Sequence, residues 1–209
     1  MTQGNTPAAD LFDALGIDYE RAFAHSPAHR AALTWLVERL APDSSVLDVG
    51  SGTGHPTART LVDAGHRVQG VDISPRMVEL ARRQVPEASF RCQDSRTLEL
   101  AASSVDAVCA FFSFLQMPRA DQRHLVEKIA RWLRPGGLFV AATVPVDVEE
   151  APGRWMGYDV EVTSFAPVAF TDLLESAGFT VQETRETDFA PDSPIATPEP
   201  QLFVCATLR

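Results

Sequence analysis

Nine residues, Val46-Leu47-Asp48-Val49-Gly50-Ser51-Gly52-Thr53-Gly54, restrict the fold of this chain more than any other stretch. A short apolar run holding one carboxylate leads directly into three alternating glycines. The run reads as a buried strand. The segment Pro56 to Gly65 that follows reads as a helix, with Gly65 as its C-terminal stop. A strand that turns within a few glycines into a helix is the opening unit of an α/β fold.

The same alternation continues downstream. Arg67 to Ile73 is a second strand, and Ser74-Pro75 caps the helix after it. Ala88 to Asp94 and Val105 to Ser113 are a third and a fourth strand. Arg119 to Leu133 is an amphipathic helix, ended by Arg134-Pro135-Gly136-Gly137 before a fifth strand, Leu138 to Val144. Upstream, His29 to Ala41 has apolar residues at helical spacing. Strands alternating with helices of this length predict a parallel sheet covered on both faces. The tail departs from the pattern. After a helix within Ser164 to Phe179, two strands (Thr180 to Glu186, Gln201 to Leu208) are separated only by a Pro-rich loop, Pro191 to Pro200. These are predicted to be antiparallel neighbours at one edge of the sheet. The first dozen residues read as a loose terminus.

One core and one domain are expected for 209 residues that are 45% hydrophobic. With 28 acids against 18 Lys and Arg, the net charge is −10. That balance disfavours a grip on nucleic-acid phosphates and on an anionic membrane surface. The N-terminal stretch lacks the pattern of a secretory signal, and no apolar run has the length of a membrane span. Cys92, Cys109 and Cys205 are scattered and show no CxxC pattern. A cytoplasmic protein without disulfides or zinc is expected.

Glycines after the first strand let a ligand approach the backbone, and the next helix offers free N–H groups to an anionic part. Asp72 ends the second strand, 22 residues after Gly50, where an acid can accept hydrogen bonds from ribose hydroxyls. The spacing does not suit a nicotinamide dinucleotide, because His55 stands near where a third glycine is needed. The Gly-Lys-Ser/Thr ending of a phosphate loop is absent. Asp48, two residues before the first glycine, suits a ligand with an amino-acid portion, whose ammonium needs acceptors.

On VLDVGSGTG, VDISPRM (Val71 to Met77), the acid Asp94 and LRPGGLFV (Leu133 to Val140), the chain resembles class I S-adenosylmethionine-dependent methyltransferases. The likeness runs in order from about Tyr19 to Arg209 and is nearest to small-molecule enzymes of bacterial secondary metabolism. It implies a Rossmann-like, doubly wound sheet of seven strands, mostly parallel, with an antiparallel last strand. It implies S-adenosyl-L-methionine as cofactor. Gly50, Gly52 and Gly54, beside Ser51, lie against the methionine part; Asp72 holds the ribose; Ile73 and Met77 flank the adenine. Asp94 with Ser95 meets the adenine amino group, and Ala110 and Phe111 pass near the sulfonium. Tyr19 closes over the cofactor.

Each of these positions also has a plain structural reading. Asp94 suits a turn or N-cap, Asp48 a cap or loop partner, Ile73 and Met77 the core, and Tyr19 one face of an amphipathic helix. His55 either meets the carboxylate or faces solvent. The other histidines read as surface or helix-face residues.

Transfer of an activated methyl needs positioning first, and a base only where the acceptor must lose a proton. No catalytic residue is therefore assigned. Phe111-Phe112-Ser113 stands where a metal-assisted catechol enzyme carries a carboxylate, so no metal is expected. Asp147, Glu149 and Glu150 read as a solvated loop. Residues 1–27 are read as an N-terminal cap segment, and 145–166 as an insertion lining an acceptor pocket. Its candidate walls are Tyr19 to His25, Phe111 to Met117, Gly153 to Val162 and the Pro-rich loop, where Phe112, Phe114, Met117, Trp155, Met156 and Tyr158 make a set suited to a hydrophobic or aromatic acceptor. The expected partner is thus a small molecule, with no nucleic acid and no membrane, for a monomer or homodimer. The leading reading is methyl transfer to O, N or C of a small metabolite. The alternative is a non-methylating, cyclase-like enzyme that retains the cofactor, and a cofactor-binding sensor ranks last.

Overall fold

The computed structural model describes residues 7–209. Seven strands form one sheet: β1 (Ser45–Val49), β2 (Arg67–Asp72), β3 (Ser89–Cys92), β4 (Val105–Phe111), β5 (Leu133–Thr143), β8 (Phe179–Phe189) and β9 (Glu199–Leu208). Their spatial order is β3-β2-β1-β4-β5-β9-β8. Strands β1 to β5 are mutually parallel, while β9 runs antiparallel to both β5 and β8. The antiparallel strand thus sits inside the sheet, between β5 and the edge strand β8. Burial explains this order: β9 is apolar and buried over Gln201–Ala206, whereas β8 alternates charged and polar residues that suit an edge.

Two apolar layers sandwich the sheet. One face packs Leu47, Val49, Val108 and Phe139 under α6 (Arg119–Trp132) and α7 (Pro167–Ser176). The other packs Val46, Ala107 and Val140 under α3 (Pro27–Val37), α4 (Thr57–Asp63) and α5 (Pro75–Gln84). Local chemistry sets the helix starts. Ser26 Oγ accepts from His29 N at 3.2 Å, and Ser74 Oγ accepts from Met77 N at 3.0 Å, each with proline at the next position. Leu133 pairs with Val105 and Leu138 with Ala107, so Arg134 to Gly137 bulge outward as the turn predicted there.

Three features differ from the sequence reading. Pro7–Leu15 is a helix, α1, rather than a loose terminus; Ala9, Leu11 and Leu15 are buried on one side of it. Its Asp13 carboxylate accepts from Ser74 Oγ at 2.5 Å and from Arg76 N at 3.0 Å, which fastens α1 to the start of α5. Residues 1–6 of that predicted terminus lie outside the described residues. Second, 151–162 is an antiparallel hairpin, β6 (Ala151–Trp155) and β7 (Tyr158–Val162). Met156 and Gly157 both take positive φ at its tip, 47° and 82°, the backbone of a two-residue type I′ turn. Third, His66 is buried rather than on the surface, while His29 sits on the inward face of α3, a helix-face position.

The hairpin, α1 and α2 (Ile17–Phe23) share a third small core of Leu11, Leu15, Ala22 and Met156. Together they roof the carboxyl ends of β1, β2 and β4. Among the described residues no helix is long and apolar enough to cross a membrane.

Candidate functional site

The strand order reverses between β1 and β4, and an open α/β sheet leaves a crevice at such a point. Here it is a cavity of about 780 Å³, within the range typical of small-molecule sites. Of the residues singled out in the sequence, Tyr19, Gly50, Gly52, Asp72, Ile73, Met77, Asp94, Ser95 and Phe111 line it.

The glycines divide the work. Gly50 takes φ +70°, and a Cβ there would stand 2.3 Å from Ser113 Cβ, so only glycine lets β1 turn beneath β4. Gly52 takes φ +52°, and among the described residues no atom lies within 4 Å of its ideal Cβ, which faces open cavity. Gly54 lies away from the cavity. Its ideal Cβ falls 3.0 Å from Val85 Cγ2 and 3.4 Å from Phe90, so this glycine serves the packing of the loop on α5 and β3.

Asp72 ties the loop to the second strand. Its carboxylate accepts from Gly52 N at 2.8 Å and from Ser74 N at 2.9 Å. Burial raises its pKa to about 6 despite those donors. Asp48 is also off the cavity. It sits in the register Gly70–Asp48–Cys109, buried under α3 to α5, and its Oδ2 has no hydrogen-bond partner. Burial first and the Asp72 charge second raise its pKa to about 7. Among the described residues the expected cap or loop partner is not there. Ser51 Oγ is likewise buried and unpartnered, and Ala110, with 1% exposure, belongs to the core under α6. Strand alternation explains the last case, since only Phe111 at the end of β4 reaches the opening.

Asp94 realises its structural reading and still lines the cavity. It N-caps a short 3₁₀ turn (Ser95–Thr97) by accepting from Arg96 N, and holds the Arg96 guanidinium at 2.7 Å. The same arginine reaches Asp121 at 3.0 Å. Beside it, Phe112 adopts φ +57°, so its ring turns into the cavity mouth. His55 does not line the cavity. Buried His29 bonds Thr57 Oγ1 at 3.0 Å and lies 4.0 Å from the Phe111 ring, with burial lowering its pKa to about 3.

A second cavity of about 300 Å³ adjoins the first, sharing Phe12, Tyr19, Phe112, Gln116, Pro152, Gly153 and Val160. Its remaining walls include Phe23, Trp155, Thr197 and Glu199. Of the predicted walls, Tyr19, Phe23, Phe112, Trp155 and the Pro-rich loop through Thr197 and Glu199 line it, and Met117 lines the larger cavity. Phe114 is instead core, packed on Phe170 at 6.5 Å; Met156 is buried in the roof; Tyr158 is exposed at the hairpin tip. Asp147, Glu149 and Glu150 lie exposed in a loop, as read, and Asp147 and Glu149 also accept from the side chain and the backbone N of Arg119. Gln116 and Glu199 fall in segments read as walls, the 111–117 stretch and the Pro-rich loop, whereas Phe12 was not singled out in the sequence. The apolar face of α1, Leu11-Phe12 and Leu15, was the available signal for Phe12; the position of the Pro-rich loop after a strand end pointed to the segment that holds Glu199, though not to that residue.

Residues 46–137 match the family described as methyltransferase domain. A probable S-adenosylmethionine-dependent methyltransferase of Mycolicibacterium smegmatis is 32% identical over 161 residues, which cover 75% of this chain and 59% of that protein. The 2-methyl-6-phytyl-1,4-hydroquinone methyltransferase of Synechocystis is 29% identical over 199 residues, covering 89% and 59%. The chain therefore spans little more than half the length of these curated relatives. Among solved structures, a Burkholderia thailandensis 1,6-didemethyltoxoflavin-N1-methyltransferase with bound S-adenosylhomocysteine superposes with a TM-score of 0.72 at 23% identity, covering 96% of this chain and 87% of that one. A cyclase structure superposes with a TM-score of 0.71 at 19% identity, covering 96% and 94%. These two share the fold.

Proposed function

From the match of residues 46–137 to the methyltransferase-domain family, we propose that the chain transfers a methyl group from S-adenosyl-L-methionine to O, N or C of a small hydrophobic or aromatic molecule. The observation that carries this reading is the junction of two cavities. A cleft walled by Gly50, Gly52 and Asp72 opens, past Tyr19 and Phe112, into a smaller aromatic pocket. The empty space over Gly52 fits a ligand that passes against backbone, and the Asp72 carboxylate at its edge fits ribose hydroxyls.

The cofactor supplies a methyl already activated on a sulfonium. Gly50 and Gly52 would bind its methionine portion, Asp72 its ribose, and Ile73 and Met77 the faces of its adenine. Ser95 and the capped Asp94 would meet the adenine edge. Gly54, Asp48, Ser51 and Ala110 then act through packing and loop shape rather than contact. Phe111 and Phe112 exclude water and set the line between the two cavities, which is what in-line transfer needs most. The roof, α1, α2 and 151–162, covers both cavities and so governs which acceptor enters.

Calorimetry with S-adenosylmethionine and S-adenosylhomocysteine tests the cofactor. Micromolar binding of either supports it, and no binding at millimolar concentration refutes it. Formation of S-adenosylhomocysteine that depends on an added acceptor separates methyl transfer from a cyclase-like use of the same fold.

A further inference from the structure

The smaller cavity contains one carboxylate that none of the steps above uses. Glu199, half-buried at the start of β9, sits among the rings of Phe12, Tyr19, Phe23 and Trp155. Those rings are in mutual contact, with centroids 5.1 to 6.3 Å apart. Each carboxylate oxygen is held by one donor. Trp155 Nε1 donates to Oε2 at 3.2 Å, and Gln201 Nε2 donates to Oε1 at 3.0 Å. The group is therefore fixed in direction and retains acceptor capacity on both oxygens. No cation answers it among the described residues. Arg154, the other charged residue of this cavity, is exposed and paired with Asp159 at 3.1 Å.

Resting on the methyl-transfer reading, we propose that the acceptor is a flat apolar molecule anchored by a protonated amine, that nitrogen held by Glu199 apart from the atom that takes the methyl, and its body against the rings of Phe12, Tyr19, Phe23 and Trp155. A carboxylate desolvated among rings is costly unless a cation shares the site. Aromatic faces attract the same cation by their quadrupoles. Burial pushes the Glu199 carboxyl up, as expected for an acid that lacks its counter-charge. The adjoining cavity reinforces the choice of sign. Asp72, Glu150 and Asp159 line it, and its Arg96 is already engaged by Asp94 and Asp121. An anionic acceptor meets repulsion from both cavities, and a neutral one leaves Glu199 unmatched. In this role Glu199 is a specificity-determining residue.

The test uses full-length protein saturated with S-adenosylhomocysteine and three probes of one shape: naphthylmethylamine, naphthylmethanol and naphthoate, titrated calorimetrically at pH 7. The amine is expected to bind at least about tenfold tighter than the alcohol, with naphthoate weakest. Glu199→Gln should lower the amine to the level of the alcohol while keeping affinity for S-adenosylhomocysteine within about twofold, which also reports that the variant is folded. Equal binding of the three probes, tighter binding of naphthoate, no amine binding at millimolar concentration, or a preference that survives Glu199→Gln would overturn the proposal. The wild-type preference is informative even if the variant misfolds. Failure of S-adenosylhomocysteine to bind at all sinks the cofactor reading instead; the probe series on ligand-free protein then still reads the pocket.

Discussion

Gly52→Ala isolates ligand space from fold stability, because the two costs can be worked out separately. At φ +52° an alanine pays for the left-handed conformation, about 1–2 kcal/mol. Among the described residues no neighbour lies within 4 Å of the new methyl, so they add no packing penalty to the ligand-free protein. For a domain of this size that cost lowers Tm by roughly 2–8 °C. In the complex the methyl occupies space assigned to the methionine portion. Inserting a methylene-sized group into a filled site costs about 1–3 kcal/mol, or roughly 5- to 150-fold in affinity at ~1.4 kcal/mol per tenfold. Gly54→Ala is the control. Its methyl meets Val85 and Phe90, so it should cost about 2–5 kcal/mol of stability and leave the affinity of the folded protein within about twofold. The assay is thermal unfolding plus calorimetric titration of S-adenosylhomocysteine on both variants. If Gly52→Ala binds as wild type does, or if Gly54→Ala is the variant that loses affinity, the assignment of the cleft over Gly52 is wrong.

Further outcomes follow from the same geometry. Gly50→Ala collides with Ser113 and should be severely destabilised in urea titrations, with part of the loss recovered by adding Ser113→Gly; independent, additive effects would contradict the collision. Asp72→Asn offers one acceptor oxygen where two backbone N–H groups are now satisfied, so it should cost about 1–3 kcal/mol of stability. The same variant should weaken S-adenosylhomocysteine binding at least about tenfold; unchanged binding would remove Asp72 from the site. The Asp48 carboxyl is raised from 3.8 to about 7, so its contribution to stability is whole below pH 3.8 and is lost as pH rises through about 7. That span corresponds to an effect on the order of 4 kcal/mol at ~1.4 kcal/mol per pH unit. Asp48→Asn cannot titrate, and its stability relative to wild type should rise by that order between pH 4 and pH 8. A difference that stays flat across that range would mean that Asp48 is not desolvated.

Local patterns were enough to read the sheet and one side of the site. Strand–helix alternation, the Ser-Pro cap at 74–75 and the Pro-rich gap between the last two strands depend on neighbours in sequence, and so did the glycine turn and Asp72. Which members of that turn face a ligand was not legible. Asp48, Ser51, Gly54 and Ala110 sit within or beside the right motifs and point away from the cavity, because orientation follows from how β1 and β4 pack against α5 and α6. The helical N-terminus was missed because its apolar face is short, and it gains its partners from the 151–162 hairpin and from Ser74.

The sequence by itself determined the order of elements, the turn over which a nucleoside can lie and the acid that closes it, since each is a short-range consequence of residue type and spacing. The sequence also marked Tyr19 to His25, Gly153 to Val162 and the Pro-rich loop as acceptor-side segments; only the tertiary structure decided which of their side chains meet and that α1 joins them. Phe12, Tyr19, Trp155 and Glu199 come from four separate segments of the chain. No periodicity links them; the roof brings them together by burying its own apolar faces over the strand ends.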